Sequence, residues 1–146
     1  MRTAYKYYDI QTDYLSGGYQ RPLQAKHRFF GNLGYETHIA NKGKQWKFDY
    51  TFNWLGKQQL PNTATNPAKD RLAEYSPSFS VMNMQVTRTF SSTFEIYIGG
   101  ENIGNYKQDH VILGNKNPFG PTFDASIVYG PVFGQMYYAG LRFKIK

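Results

Sequence analysis

The chain has 146 residues, of which 40% are hydrophobic and 18% aromatic, enough apolar material for one domain. A mean hydropathy of −0.61 with no long apolar run excludes a transmembrane helix, though not a transmembrane barrel, whose strands are only half apolar. The net charge of +7 comes from cations spread singly, as at Lys42, Lys44, Lys47, Lys57, Lys69 and Arg71, which argues against a nucleic-acid partner, and the absence of cysteine excludes disulfides.

Thirteen Tyr and eleven Phe dominate the apolar set, so strands are favoured over helices. The opening "MRTAYKYYDIQ" lacks the apolar core and cleavage site of a secretory signal, so the chain is expected to be cytoplasmic or a piece of something longer. A first strand is expected near Thr3 to Gln11, where "YKYYD" fits either phase and leaves the faces open. A polar connection, "YLSGGYQRPLQ" (14–24), leads into a strand over "KHRFFGNLGYETH" (26–38) and a tight turn at 39–45 containing Asn41, Lys42 and Gly43.

The clearest element follows. In "WKFDYTFNW" (46–54), Trp46, Phe48, Tyr50, Phe52 and Trp54 alternate with Lys47, Asp49, Thr51 and Asn53, a period of two that only an extended strand separates into two faces. A long excursion, "KQQLPNTATNPAKDRLAEYSPS" (57–78), precedes strands over "SVMNMQVTRTF" (80–90) and "TFEIYIGGENI" (93–103), which are joined by Ser91-Ser92. A third long connection, 104–134, leads to the closing strand "QMYYAGLRFKI" (135–145). Connections therefore alternate long and short, which in an up-and-down antiparallel sheet gathers the long loops at one end and the tight turns at the other.

That asymmetry is the one found in outer-membrane barrels. Trp46 to Trp54 spans eight steps, roughly 27 Å of strand or about 21 Å of height at a tilt near 40°, close to the apolar band of such barrels. The two indoles then fall at the band edges, where an apolar ring carrying a polar N–H is most stable, and Trp46, Phe48, Tyr50, Phe52 and Trp54 face lipid. Lys47 and Asp49 face a wet or plugged lumen.

No enzyme constellation is expected. His27, His38 and His110 are far apart without cysteine or metal-ligand spacing, and "GGENIG" (99–104) lacks the Lys-Ser/Thr ending of a phosphate loop. Neither a metal nor a cofactor is implied. Loop aromatics Tyr75, Tyr106, Phe119 and Phe123 are candidates to stack on a flat ligand, with Tyr129 beside them and Asn102, Asn105, Gln108 and Asp109 as hydrogen-bonding groups. The alternative is that these rings pin the loops to one another.

"QWKFDYTFNWLGKQQLPNT" (45–63), "EYSPSFSVMNMQVTRTF" (74–90), "EIYIGGENIGNYKQ" (95–108) and "NPFGPTFDASIVYGPVFGQMYYAGLRFKI" (117–145) together resemble the late barrel of TonB-dependent outer-membrane receptors of the Bacteroidetes type. Tyr138, Gly140, Phe143 and Ile145 match the terminal-strand pattern that, in such barrels, is read by the outer-membrane assembly machinery, and Lys146 after Ile145 departs from it. The resemblance implies a location in the cell outer membrane and a role in nutrient transport. It also implies partners: outer-membrane lipid, the rest of the barrel and its plug, the TonB energy-transducing system and a surface substrate-binding lipoprotein.

The expected fold is all-β, an antiparallel up-and-down meander of about six strands. These form an open curved sheet, aromatic side convex, that is part of a large transmembrane β-barrel. Residues 1–146 are then the C-terminal part of a receptor barrel of roughly 22 strands, with plug and earlier strands absent. The other reading is a soluble or periplasmic small β-barrel that binds a small ligand, closed by recruiting "HVILG" (110–114) and "FDASIVYG" (123–130).

Overall fold

A computed structural model describes residues 1–14, 17–40 and 43–145. Eight strands occur in chain order: β1 (Arg2–Tyr7), β2 (Gln11–Tyr14), β3 (Gly17–Gln20), β4 (His27–Glu36), β5 (Gln45–Leu55), β6 (Phe79–Thr89), β7 (Phe94–Glu101) and β8 (Met136–Phe143). Six form one antiparallel sheet in the order β1-β4-β5-β6-β7-β8, and β2 and β3 form a separate hairpin. The fold is all-β, and the sheet is open: β1 and β8 each have one neighbour and do not pair with each other.

All six expected strands of the meander are present, with one difference at the start. β1 ends at Tyr7 because its partner β4 begins at His27, so the ladder runs out. Tyr8 N still donates to Lys26 O at 2.8 Å and Lys26 pairs with Asp9 at 3.4 Å, after which the chain leaves the sheet. Gln11, the expected end of the first strand, instead starts a hairpin of its own, pairing with Gln20, that extends into the connection expected over 14–24. Of the expected 39–45 turn, Asn41 and Lys42 lie outside the described residues, as does Lys146. The turn is closed by Ala40 N donating to Lys44 O at 2.9 Å, with Gly43 at φ +76°, a left-handed backbone that glycine adopts without steric cost.

Because the side-chain period is two, the register decides which residues share a face across strands. Tyr5 pairs with Phe29, Phe29 with Trp54 and Trp54 with Ser80. Toward the other end, Tyr35 pairs with Phe48, Phe48 with Val86, Val86 with Ile98 and Ile98 with Ala139. These links place the aromatic side of "WKFDYTFNW" on one continuous apolar face that crosses all six strands. They also settle the phase of β1, whose Tyr5 and Tyr7 belong to that face.

The core lies elsewhere. The buried apolar residues are Ala25, Leu60, Phe79, Leu113 and Ile127, all in or beside the long connections, whereas Leu33, Tyr35, Phe48, Ile98, Leu141 and Phe143 of the apolar face are exposed. Leu60, Leu113 and Ile127 form one cluster, with Leu23, Leu72 and Tyr129 packed against it. The three long connections supply these residues, so the loops form a packed layer at one end of the sheet. The segments 110–114 and 123–130, which closure of a small barrel requires, lie in that layer and meet through a single bridge, Leu113 to Asp124.

Candidate functional site

Two surfaces carry the chemistry of this chain: the two-sided sheet and the loop layer. On the apolar side, Trp46 and Phe48 stack with ring centroids 6.2 Å apart, while Tyr35 and Phe48, and Phe29 and Phe52, meet at tilted angles, each pair also 6.2 Å apart. Trp46 and Phe48 are 42% and 43% exposed and Tyr50, Phe52 and Trp54 are half-buried, shielded by their neighbours along and across the strands. Nothing in the described chain covers this face.

The opposite face is polar and bonded to itself. The amide of Asn32 donates to Asp49 Oδ1 at 3.1 Å and to Thr51 Oγ1 at 3.0 Å, tying β4 to β5. Gln85 donates to Thr87 Oγ1 and accepts from Tyr138 OH, both at 3.1 Å. Arg142 pairs with Glu95, which also accepts from Thr89. Charged and polar groups of this kind retain hydrogen-bonding capacity that is costly to leave unpaired in an apolar medium, so contact with such a medium costs far more on this face than on the aromatic one.

The terminal-strand residues divide between these faces. Phe143 extends the apolar side, 6.4 Å from Phe94, and Ile145 lies just beyond the end of β8, 90% exposed. Tyr138 and Gly140 are on the polar side, where Gly99 pairs with Tyr138 and Tyr97 with Gly140. Each tyrosine ring lies over the opposing glycine: a Cβ at Gly99 would collide with Tyr138, and one at Gly140 with Tyr97. The two rings meet edge-on at 6.2 Å. Gly140 therefore has a packing role in the β7–β8 pair, a reciprocal arrangement that alternation in the sequence does not reveal.

The loop candidates do not converge. Tyr106 stacks on Phe79 with ring centroids 4.6 Å apart and planes 4° from parallel, which pins the third long connection to the start of β6. Phe119 is fully exposed at 101%, and Tyr75 and Phe123 are exposed on different connections. Asn102 and Gln108 are buried and consumed internally. Asn102 Nδ2 donates to Tyr106 O at 2.7 Å and Phe133 O at 3.1 Å, and its Oδ1 accepts from Tyr106 N. Gln108 Nε2 donates to Ile127 O at 2.7 Å, while its Oε1 accepts from Tyr129 N at 2.8 Å and Gly130 N at 3.1 Å. Both amides thus replace backbone partners that an irregular loop cannot supply, and neither has a group left for a ligand.

Burial raises the phenol pKa of Tyr106, helped by the neighbouring Tyr129 and by Asp109, and burial followed by Asp109 raises that of Tyr129. A cleft of about 870 Å³ lies between the second and third long connections and is edged by Lys69, Arg71, His110 and Lys116. Asp70 closes its floor, accepting from Thr122 Oγ1 at 3.1 Å. Among the described residues no three His, Cys, Asp or Glu side chains gather as a metal-holding group, and no helix is long and apolar enough to cross a membrane. No family model matches the chain, and neither a curated protein nor a solved structure matches it.

Proposed function

We propose that the chain is part of an outer-membrane β-barrel of the TonB-dependent receptor type and serves nutrient import across that membrane. The observation that carries this reading is the exposed apolar face running through all six paired strands, opposite a face of mutually bonded polar groups. A soluble sheet of this size buries one face under a second layer, whereas here the buried apolar residues lie in the loops. In a barrel wall the apolar face meets acyl chains and the polar face lines the lumen.

The open edges fit the same reading. In hydrocarbon each unsatisfied backbone group costs several kcal/mol, so β1 and β8 require further strands of a closed barrel. The partners on this reading are the remaining barrel and its plug, membrane lipid, the TonB system and a surface lipoprotein that delivers substrate. The loop layer then sits at the extracellular end, and the tight turns at the periplasmic end.

The chain has no cysteine, so single introduced thiols report cleanly on the faces. In the complete barrel, freed of any cysteine outside residues 1–146 and held in maltoside micelles, Thr51→Cys is expected to react with a water-soluble maleimide while Tyr50→Cys is protected. A chain that is a monodisperse, ligand-binding monomer without detergent, with Tyr50→Cys as reactive as Thr51→Cys, would sink the membrane reading.

A further inference from the structure

Arg88 is the one full charge that the strands place on the apolar face. Register puts it between Trp46 of β5 and Ile96 of β7, in the last apolar-face row of the β5–β6 ladder before the tight turns. Its guanidinium carbon stands 4.7 Å from the Trp46 ring centre and 5.8 Å from that of Phe90. Among the described residues it has no carboxylate partner, since the ion pairs there are Lys26 with Asp9 and Arg142 with Glu95.

The acidic groups near this end are already engaged. Glu95 takes Arg142 and Thr89, and Glu36 accepts from Gln45 at 3.0 Å. Lys44, in the 39–45 turn, adds an exposed cation at the same end, whereas Lys144, whose backbone N–H donates to Thr93 O at 2.8 Å, follows the period of Arg142 on the polar side. A planar donor set held against two aromatic faces, in a positively charged rim bordering an apolar surface, is complementary to a phosphate that carries acyl chains.

Resting on the membrane reading above, we propose that Arg88, framed by Trp46 and Phe90, binds the phosphate of a glycerophospholipid headgroup at the turn end of the sheet. The rings hold the guanidinium at the level where headgroups begin, its outward N–H groups donate to the phosphate oxygens, and the lipid's acyl chains run along Phe48, Val86 and Ile98 toward the loop end.

In the complete barrel, with Trp54 and any tryptophan outside residues 1–146 replaced by Phe, Trp46 is the sole reporter beside Arg88. In phosphate-free maltoside micelles, quenching of Trp46 by phosphatidylglycerol with brominated acyl chains is measured against diacylglycerol carrying the same chains. The expected result is saturable quenching with half-saturation about tenfold lower for the phospholipid, lost in Arg88→Gln and largely kept in Arg88→Lys. Equal quenching in the Arg88→Gln variant and the parent overturns the proposal. So does displacement of the lipid by equimolar inorganic phosphate, which would mark a site for the free anion. A brominated maltoside arm separates the two readings: if it leaves Trp46 unquenched, the apolar face does not meet acyl chains and both readings fall, whereas strong quenching with no Arg88 dependence removes only the phosphate site.

Discussion

The six-strand sheet and the loop layer are held together by opposite means. The sheet relies on regular backbone ladders, with both faces bare of a second layer, so its apolar side chains gain burial only from their neighbours in the plane. The loop layer has few ladders but owns the buried cluster of Leu60, Leu113 and Ile127 and the two amides, Asn102 and Gln108, that satisfy its irregular backbone. The difference teaches that the loop layer carries a small apolar core of its own, whereas the sheet's apolar face has no covering layer within the described chain; on the membrane reading proposed above, lipid contact supplies the missing half of its hydrophobic stabilisation.

The largest expected effect tests the sheet's side of this contrast. In the complete barrel, Tyr50→Arg places a charge near the middle of the apolar face and is expected to cost about 2–4 kcal/mol, while Thr51→Arg on the polar face costs much less. Denaturant unfolding of both variants checks the order. Equal losses would mean that the two faces see the same medium.

A somewhat smaller effect is expected in the loop layer, and it should not spread. Gln108→Ala strands Ile127 O and the Tyr129 and Gly130 amides, a loss of about 2–3 kcal/mol. Amide hydrogen exchange is expected to speed up across 105–131 with the β4–β6 amides unchanged. Faster exchange in both regions would show that the layer and the sheet form one cooperative unit.

The smallest effect is a titration confined to the layer. Tyr106 and Tyr129 have folded-state pKa values above the ordinary 10.0, burial being the first cause, so their contribution is fully present below pH 10 and is lost as pH rises through the folded values. Phenolate absorbance is expected to show two late-ionising tyrosines. Tyr106→Phe together with Tyr129→Phe should remove them.

Strand identity was legible in the residues because a period of two is a local property, and "WKFDYTFNW" states it without help from any neighbour. The alternation of long and short connections likewise fixed which ends carry loops and which carry turns. The faces of β1 were not legible, since "YKYYD" suits either phase until pairing with β4 chooses one. The β2–β3 hairpin was also hidden, being short and set in a polar stretch that reads as a connection. Of the loop candidates, Tyr106 could be named as a ring of interest but not as the partner of Phe79, because the two are far apart in the chain and only the folded layer brings them together.

What the sequence by itself determined is therefore whatever repeats along the chain: strands, turn spacing, and the two chemically distinct sides of each strand. Only the tertiary structure decided how those sides add up. Register joined them into one apolar face and one polar face, laid Tyr97 over Gly140 and Tyr138 over Gly99, isolated Arg88 beside Trp46, and spent Asn102 and Gln108 on the loop backbone. The physical reason is that periodicity fixes the direction of a side chain relative to its own strand, whereas contact with residues distant in sequence depends on a register that a slip of a single residue would reverse.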